Sequence, residues 1–313
     1  MEIDWKEYKA FADLYFQKEE PSPILSITEK LMQMRSAAQK DFPERLASIK
    51  GVLNSIYGVL AHKNFRLYSP GIPERVTEVS RKVITGLIEI VQRWGYRVLT
   101  ADTDSLFVQV SEMDVEDLEA RINLELKQFG DFAIKRDHYA EAIGFTGVKK
   151  RYFLLEKGEL RVTGFERVRT DSSNYTKEVQ EQVMRLILGG KQEQVVPYLR
   201  EKVAGIRKAS LEDIAVTKGL SKDLDDYTGA QQGYILAMKK AGLEIGEGDS
   251  IRTIPATNHP YGVAVFRDLS DLKTSVKVDY DKVIDSQIKK KVADLLETVG
   301  LSWEMVQGQG KLL

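Results

Sequence analysis

Two aspartates separated by one residue, Asp102 and Asp104, are the sharpest chemical feature of the chain. They interrupt two stretches rich in β-branched and aromatic residues, YRVLTA and SLFVQV, which predict a β-hairpin with the acids at its tip. Two carboxylates held there would suit a hard divalent cation, which takes oxygen ligands and, as Mg²⁺, can bridge to the phosphates of a substrate. The alternative is a solvated turn, because Asp is common in turns of any protein.

A second group of chemistry-bearing residues lies upstream in the stretch KGVLNSIYG. On a helix Lys50, Asn54 and Tyr57 occupy positions i, i+4 and i+7, so one face would present an ammonium, an amide and an aromatic ring. Such a face could bind a nucleotide, with the ammonium neutralising a leaving phosphate and Gly58 letting a base pair approach the backbone. An ordinary amphipathic helix that ends at a glycine cap is the alternative.

Positive charge is concentrated between residues 149 and 169, where seven Lys or Arg stand against three Glu. The basic residues are Lys149, Lys150, Arg151, Lys157, Arg161, Arg167 and Arg169. Tyr152 and Phe153 lie among them. Such a patch can hold backbone phosphates without reading sequence, and the aromatic pair could pack against sugars. The alternative is the solvated face of a strand.

Hydrophobic periodicity and turn residues indicate the elements that must position these groups. The predicted helices are 4–18, 26–40, 44–57, 73–94, 114–129 and 171–188, the last with Asp171 as its N-cap. Strands are predicted on both sides of the acidic tip and over 145–169, and the rest of the chain reads as mostly helical with an irregular part at 246–275. We place a domain boundary near 170.

Composition excludes several classes of protein. The 313 residues are 42% apolar, enough for a sizeable core, and 46 Lys plus Arg against 47 Asp plus Glu leave a net charge of −1, so any nucleic-acid surface must be local. The absence of Cys removes disulfides, Cys-rich zinc sites and thiol nucleophiles, and the three His are widely scattered. Neither a signal peptide nor a membrane-length apolar run is visible, which predicts an intracellular, cytoplasmic protein with no membrane partner.

The motifs, taken in chain order, resemble those of the family B DNA polymerases: KxxxNSxYG, then a hairpin carrying DTDS, then KKRY. The stretches VTKGLSKDLDDYTGAQQGYILAMKKAG and VDYDKVIDSQI resemble the thumb of archaeal members, so the resemblance covers about residues 22–300. It implies an α+β fold with a helical fingers hairpin, an antiparallel-sheet palm portion and a mostly helical thumb. The corresponding ranges are an N-terminal extension at 1–21, fingers at 22–66, palm at 67–170 and thumb at 171–313.

The resemblance also implies a role for each matching residue. Asp104 would be a direct metal ligand, Asp102 would support the metal site, and Lys50 would act in catalysis. The incoming nucleotide would contact Arg35, Lys50, Asn54 and Tyr57, and primer-template DNA would contact Lys149, Lys150, Arg151, Tyr152, Arg167 and Arg169, with Asp171 continuing that surface. The family usually has a second basic residue one turn after Arg35. Gln39 stands there in this chain, so either the adjacent Lys40 substitutes or triphosphate binding is weaker.

Family members also carry an earlier palm motif, DxxSLYPS, whose aspartate is the second metal-binding carboxylate, and a proofreading exonuclease before it. Neither is in this sequence, and Asp13 in DLYFQ lacks the Ser and Pro. Nucleotidyl transfer uses two Mg²⁺ ions bridged by carboxylates from two strands. We therefore expect the C-terminal subunit of a split DNA-directed DNA polymerase that adds dNTPs to a primer 3′ end in DNA replication or repair. It would form a heterodimer with a chain supplying both missing parts, and would be inactive or very weak alone.

The first 20 residues do not resemble a polymerase. Trp5, Tyr8, Phe11 and Tyr15 would share one face of the predicted helix at 4–18, which could dock the partner chain or cap the fingers within this chain. Met1 and this segment favour a natural split gene, although a truncated chain would look similar.

Three further alternatives stay open from the residues. A non-catalytic DNA-binding or scaffolding subunit would need only the basic patch, whereas retention of both acids, Lys50 and Tyr57 favours an enzyme. Ribonucleotide use is not excluded, because the usual steric gate belongs to the missing motif. A sliding clamp is a further possible partner: VQGQGKLL has Gln307 and Gln309, but it lacks the aromatic pair of clamp-binding peptides.

Overall fold

The computed structural model of the chain describes residues 23–66, 68–129, 132–165, 172–228, 232–243, 245–272 and 275–308. The chain divides into two compact units, Met1–Asp137 and His138–Leu313. This division does not coincide with the predicted boundaries at 66 and 170, and the predicted palm range includes parts of both units. The functional domain ranges therefore stay predictions. The predicted helix at 4–18 lies outside the described residues.

The first unit contains a helical hairpin, a long helix, a β-hairpin and a further helix. In chain order these are α1 (Pro23–Asp41), α2 (Pro43–Leu60), α3 (Gly71–Arg93), β1 (Arg97–Asp102), β2 (Ser105–Gln109) and α4 (Val115–Phe129). Pro43 begins α2, where its missing N–H is tolerated, and Phe42 before it separates α2 from α1. The helix predicted over 44–57 continues through Gly58 to Leu60, so the alternative of a helix that ends at a Gly58 cap is wrong.

The core of the first unit joins α3, α4 and the β-hairpin. Buried residues recur at helical spacing on both helices, namely Val79, Val83, Leu87, Val91, Leu118, Ile122 and Leu126. Val98 on β1 and Leu106 and Val108 on β2 pack against this cluster. Gly95, with φ of +90°, adopts the left-handed conformation that lets the chain turn from α3 into β1. The hairpin is therefore held by apolar contacts on one of its faces.

The second unit combines two three-stranded antiparallel sheets with helices. Its strands are β3 (Ala142–Phe145), β4 (Tyr152–Glu156), β5 (Glu159–Thr163), β6 (Val216–Gly219), β7 (Ser250–Pro255) and β8 (Val263–Phe266), which pair in the orders β3-β4-β5 and β6-β7-β8. Its α-helices are α5 (Asn174–Leu188), α6 (Val195–Gly205), α7 (Leu211–Ile214), α8 (Gly233–Ala241), α9 (Tyr280–Val283), α10 (Lys290–Glu297) and α11 (Trp303–Val306). A π-helical stretch, Ile284–Lys289, connects α9 to α10.

A large apolar core brings the β3-β4-β5 sheet together with the later helices. Fully buried members include Phe153, Phe165, Met184, Leu199, Val283 and Leu295. Polar contacts fix the helices within it: Thr176 Oγ1 donates to the carbonyl of Gln287 over 2.9 Å, and Gln287 Nε2 donates to the carbonyl of Ile214 over 2.8 Å. A smaller separate core forms around β6-β7-β8 and α8.

The structure confirms the α+β class and corrects two details of the sequence prediction. The region predicted as irregular at 246–275 contains β7 and β8, so the part of the chain after 171 holds a three-stranded sheet as well as helices. The helix predicted from Asp171 begins at Asn174, and Ser173 is its N-cap, accepting a hydrogen bond from the Thr176 N–H. Among the described residues, no helix is both long enough and apolar enough to cross a membrane.

Candidate active site and nucleic-acid interface

The acidic tip lies in the two-residue turn between β1 and β2. Asp102 pairs with Ser105 at the end of the hairpin, and Thr103 adopts a positive φ of +56°. The Asp104 N–H donates to the Asp102 carbonyl over 2.6 Å, and Ser105 Oγ donates to the same carbonyl over 3.0 Å. These bonds fix the backbone under both carboxylates. The prediction that a tight turn positions the two acids is therefore confirmed.

The two carboxylates have different environments. Asp102 is half-buried, and its Oδ1 accepts a hydrogen bond from Thr103 Oγ1 over 3.0 Å. Asp104 is exposed, and within the described part of the chain no hydrogen bond or ion pair to its carboxylate is found. A carboxylate that is fixed by its backbone and open to solvent can coordinate a cation without first breaking a protein contact.

A β-bulge at Leu99 sets the direction of Asp102. Val98 lies opposite Val108, but the next pair is Thr100 with Phe107, so Leu99 is an extra residue in β1. Beyond the bulge, Asp102 shares a face with Phe107, whereas Val98 shares the other face with the apolar cluster. The bulge therefore places Asp102 on the face turned away from that cluster.

The acidic tip is suited to a hard cation but supplies only part of a coordination sphere. Its donors are carboxylate oxygens, which Mg²⁺ prefers, and Asp104 has no competing partner among the described residues. Within the same described ranges, no group of three or more Asp, Glu, His or Cys is arranged to hold a metal ion. Asp102 and Asp104 would thus hold Mg²⁺ from one side only.

The predicted nucleotide-binding residues lie on the helical hairpin of the first unit. Lys50, Asn54 and Tyr57 are exposed on α2, and Arg35 is exposed on α1. Tyr57 leaves 43% of its surface accessible, which is unusual for a large aromatic side chain. Apart from its chain neighbours and the adjacent backbone of α2, nothing in the described structure lies within 4 Å of a Cβ built on Gly58, so the surface there is open.

The structure describes only part of the position on α1 where the family usually has a second basic residue. Gln39 is exposed, and the backbone of Lys40 is helical, but the Lys40 side chain lies outside the described atoms. Substitution by Lys40 stays a prediction.

The loop between β3 and β4 presents two of the predicted DNA-binding residues. Lys149 and Lys150 are exposed, and Lys150 has a positive φ of +59°. The loop packs tightly on Gly164, where an added Cβ would come within 2.3 Å of the Lys150 carbonyl oxygen. The two lysines therefore project from a loop whose backbone is closely constrained.

Arg151 and Tyr152 are placed differently from these lysines. The Arg151 guanidinium forms an ion pair with Asp294 on α10 and lies 4.3 Å from the centroid of the Phe165 ring. Tyr152 begins β4, is half-buried, and has its ring 6.2 Å from that of Phe145. The structure thus gives Arg151 a contact within the unit that the sequence did not indicate. Arg167, Arg169 and Asp171 lie outside the described residues.

Glu156 lies at the opposite end of β4 and is one of the acidic residues of this region. The Tyr139 N–H donates to its carboxylate over 3.0 Å, and this bond together with His138 and Arg161 holds the pKa of Glu156 below its usual value. Glu156 therefore stays ionised and pairs with Arg161 at 2.7 Å, so the positive charge of Arg161 is compensated within the sheet.

Comparison with known proteins agrees with the motif order. The profile of DNA polymerase family B matches residues 26–299. DNA polymerase 2 of Aeropyrum pernix is 29% identical over 95% of this chain and 39% of its own length, and the DNA polymerase of Archaeoglobus fulgidus is 28% identical over 92% and 39%.

A solved structure shows the same relationship. The family B DNA polymerase of Pyrobaculum calidifontis superposes with a TM-score of 0.64 and 28% identity, covering 89% of this chain and 38% of that one. The chain therefore spans about two fifths of the length of these relatives. With its motifs in order and the profile matched along most of its length, the chain belongs to the family B DNA polymerases.

Proposed function

We propose that this chain contributes the fingers, the C-terminal part of the palm and the thumb to a DNA polymerase that extends a primer 3′ end with dNTPs. The observation that carries the proposal is the acidic tip: Asp104 is exposed on a fixed turn, and Asp102 is turned away from the apolar cluster. Neither placement serves the stability of the hairpin, since the apolar contacts are made by its other face.

The helical hairpin supports the nucleotide side of this proposal. Lys50 and Arg35 would bind the triphosphate, and Lys50 would stabilise the negative charge that develops on the leaving pyrophosphate. Asn54 lies one turn from Lys50, and the exposed ring of Tyr57 would pack against the new base pair. These side chains need no rearrangement of a core to meet a ligand, because they already face solvent.

The count of carboxylates is the argument for a second polypeptide segment. Bound Mg²⁺ would lower the pKa of the primer 3′ hydroxyl and neutralise the phosphates, and two such ions need bridging carboxylates from two strands. Asp102 and Asp104 supply the carboxylates of only one of these two strands. We infer that the aspartate of the family's DxxSLYPS motif comes from outside this sequence, on a partner chain that also carries the exonuclease.

The β1-β2 hairpin offers an edge for that strand. It forms a two-stranded sheet, and sheets of this size are marginal unless something extends or covers them. In an antiparallel pair, residues that bond inward alternate with residues whose N–H and C=O point outward. Asp102 and Ser105 flank the two-residue turn, where a hairpin normally closes with a bonded pair. By the same alternation, we expect Leu106 and Val108 to direct their backbone groups to the outer edge of β2. We propose that the partner's strand pairs along this edge.

Primer extension is the direct test. The purified chain is assayed with Mg²⁺, dNTPs and a primer-template, first alone and then with polypeptides that contain the DxxSLYPS motif and the exonuclease. We expect little or no extension by the chain alone and extension by the pair. Rapid synthesis by the chain alone would show that no second segment is needed.

A non-catalytic DNA-binding subunit is the second candidate. It is favoured by the shortage of metal ligands within the described residues, whereas the exposed Asp104 and the lysine-bearing fingers face favour an enzyme. Tight duplex binding with no extension in any pairing would support this second candidate over the first.

A further inference from the structure

Arg151 belongs to the run of basic residues at 149–151, yet its environment differs from that of its neighbours. Only 16% of its side chain is accessible, whereas Lys149 and Lys150 are exposed. The guanidinium is paired with Asp294, from a helix 143 residues later in the chain, and it covers the ring of the fully buried Phe165. Phe165 in turn meets Phe153 edge-on at 6.0 Å. Arg151 therefore connects the lysine loop to the core of the second unit.

The backbone around Arg151 is held as closely as its side chain. The Arg151 carbonyl accepts hydrogen bonds from the N–H and Oγ1 of Thr146 at 3.3 and 3.1 Å, and Thr146 Oγ1 accepts the Val148 N–H at 3.3 Å. On the other side, Gly164 lies against the Lys150 carbonyl. The loop that carries both lysines is thus closed at its base by hydrogen bonds and packs against the residue that follows β5.

The helix that carries Asp294, α10, is held in place by the core of the second unit. Val292 and Leu295 on α10 are fully buried in the large core. Gln180 Nε2 on α5 donates to the Lys291 carbonyl over 2.7 Å, close to Asp294 in sequence. A contact to Asp294 is therefore a contact to a rigid part of the unit.

We propose that Arg151 is a positioning residue, which holds the Lys149–Lys150 loop on α10 through Asp294 and does not itself bind a DNA phosphate. An arginine whose charge is already compensated by a carboxylate would release few counterions on binding DNA, so the sequence-independent affinity would come from the two lysines. Breaking a partly buried pair leaves one charge uncompensated, and the loop then loses its fixed presentation. This inference rests on the proposed role of the loop in DNA binding.

A double-mutant cycle tests the proposal. Arg151→Ala, Asp294→Ala and the double variant are compared for binding to a primer-template duplex over a range of salt concentrations, with folding checked by thermal unfolding. We expect both single variants to weaken binding in the same direction, by roughly 5- to 10-fold, and the double variant to be no weaker than the worse single variant. Opposite effects, with Arg151→Ala weaker and Asp294→Ala tighter, would show a direct phosphate contact. Additive losses would likewise overturn the proposal.

Controls separate this inference from the function on which it rests. Arg185→Ala removes an arginine that pairs with Glu181 on α5, and we expect it to change binding less than twofold. Lys149→Ala with Lys150→Ala tests the surface itself: no effect would refute the proposed DNA contact, whereas a loss without coupling in the cycle would refute only the role of Arg151. If Arg151→Ala does not fold, Asp294→Asn replaces it, because the asparagine keeps the shape of the side chain. The proposal then requires Asp294→Asn to weaken duplex binding and to make that binding less dependent on salt.

Discussion

Val98 and Asp102 lie on opposite faces of the β1-β2 hairpin, although their spacing would place them on one face of a regular strand. The bulge at Leu99 causes the change, because one extra residue shifts the alternation of every later side chain. Val98 can therefore join the apolar cluster while Asp102 avoids it, as an ionised carboxylate must. The face on which Asp102 lies thus depends on the bulge at Leu99, although the leucine side chain cannot itself bind a metal ion.

Asp104→Asn should abolish nucleotide addition by the assembled pair, by about 10³-fold or more, because an amide oxygen cannot replace a carboxylate that compensates a divalent cation. Duplex binding should stay close to that of the unchanged chain, since the Asp104 carboxylate makes no contact within the described structure and the backbone bond of Asp104 is kept in the variant. Single-turnover primer extension and an equilibrium binding titration measure the two properties. Equal loss of both would indicate that Asp104 has a structural role.

Lys50→Ala should raise the dNTP concentration needed for half-maximal extension and slow the chemical step by roughly 10²-fold, because one preorganised charge near the leaving phosphate is lost. Lys63→Ala is a matched control: Lys63 is also exposed, but it lies in the turn after α2 and not on the Lys50 face. Rapid-quench measurements at several dNTP concentrations separate the two effects. An unchanged rate for Lys50→Ala would contradict the fingers assignment.

Lys149→Ala combined with Lys150→Ala should weaken duplex binding and make it less sensitive to salt. Each phosphate contact removed should change the slope of log affinity against log salt by about 0.9, because fewer counterions are released. Both lysines are exposed, so the substitutions should barely affect the unfolding temperature. Binding titrations at four or more salt concentrations give the slope, and an unaltered slope would remove this loop from the DNA interface.

Amide hydrogen exchange can locate the partner's strand. In the chain alone, the amides of Leu106 and Val108 should exchange rapidly because the strand alternation directs them to the edge of β2 that no described strand covers. The same alternation directs the Phe107 amide inward to β1, where it should exchange slowly. Addition of a polypeptide with the DxxSLYPS motif should slow Leu106 and Val108 and leave Phe107 little changed, as residue-resolved NMR exchange would report. Protection elsewhere, with none at these two amides, would place the partner on another surface.

The sequence was sufficient for features that depend on local periodicity and failed for those that depend on distant contacts. The hairpin around Asp102 and the helix behind it were predicted, since alternation and helical spacing are read over a few residues. The Leu99 bulge was not, because leucine is equally acceptable in a regular strand. The Arg151 ion pair had no local signal either, because Asp294 lies 143 residues away. A glycine such as Gly164 indicates a turn. It does not indicate that the Lys150 carbonyl lies close against it, because that contact depends on another part of the chain.

Gly164→Ala should destabilise the second unit much more than Gly158→Ala, although the two glycines flank the same strand, β5, and have nearly equal φ values of +77° and +76°. The positive φ alone costs an alanine about 1–2 kcal/mol at either position. At Gly158, apart from its two chain neighbours, no described atom lies within 4 Å of the added Cβ, so that cost is all we expect there.

At Gly164 the new methyl group would meet the Lys150 carbonyl oxygen at 2.3 Å, a distance that only a shift of the loop backbone can relieve. We therefore expect Gly164→Ala to lower the free energy of unfolding by at least ~2 kcal/mol more than Gly158→Ala, as urea denaturation would measure. The loop shift should also displace Lys149 and weaken duplex binding, which Gly158→Ala should leave unchanged. Equal effects of the two substitutions on stability and binding would mean that the lysine loop is not held against Gly164 in solution.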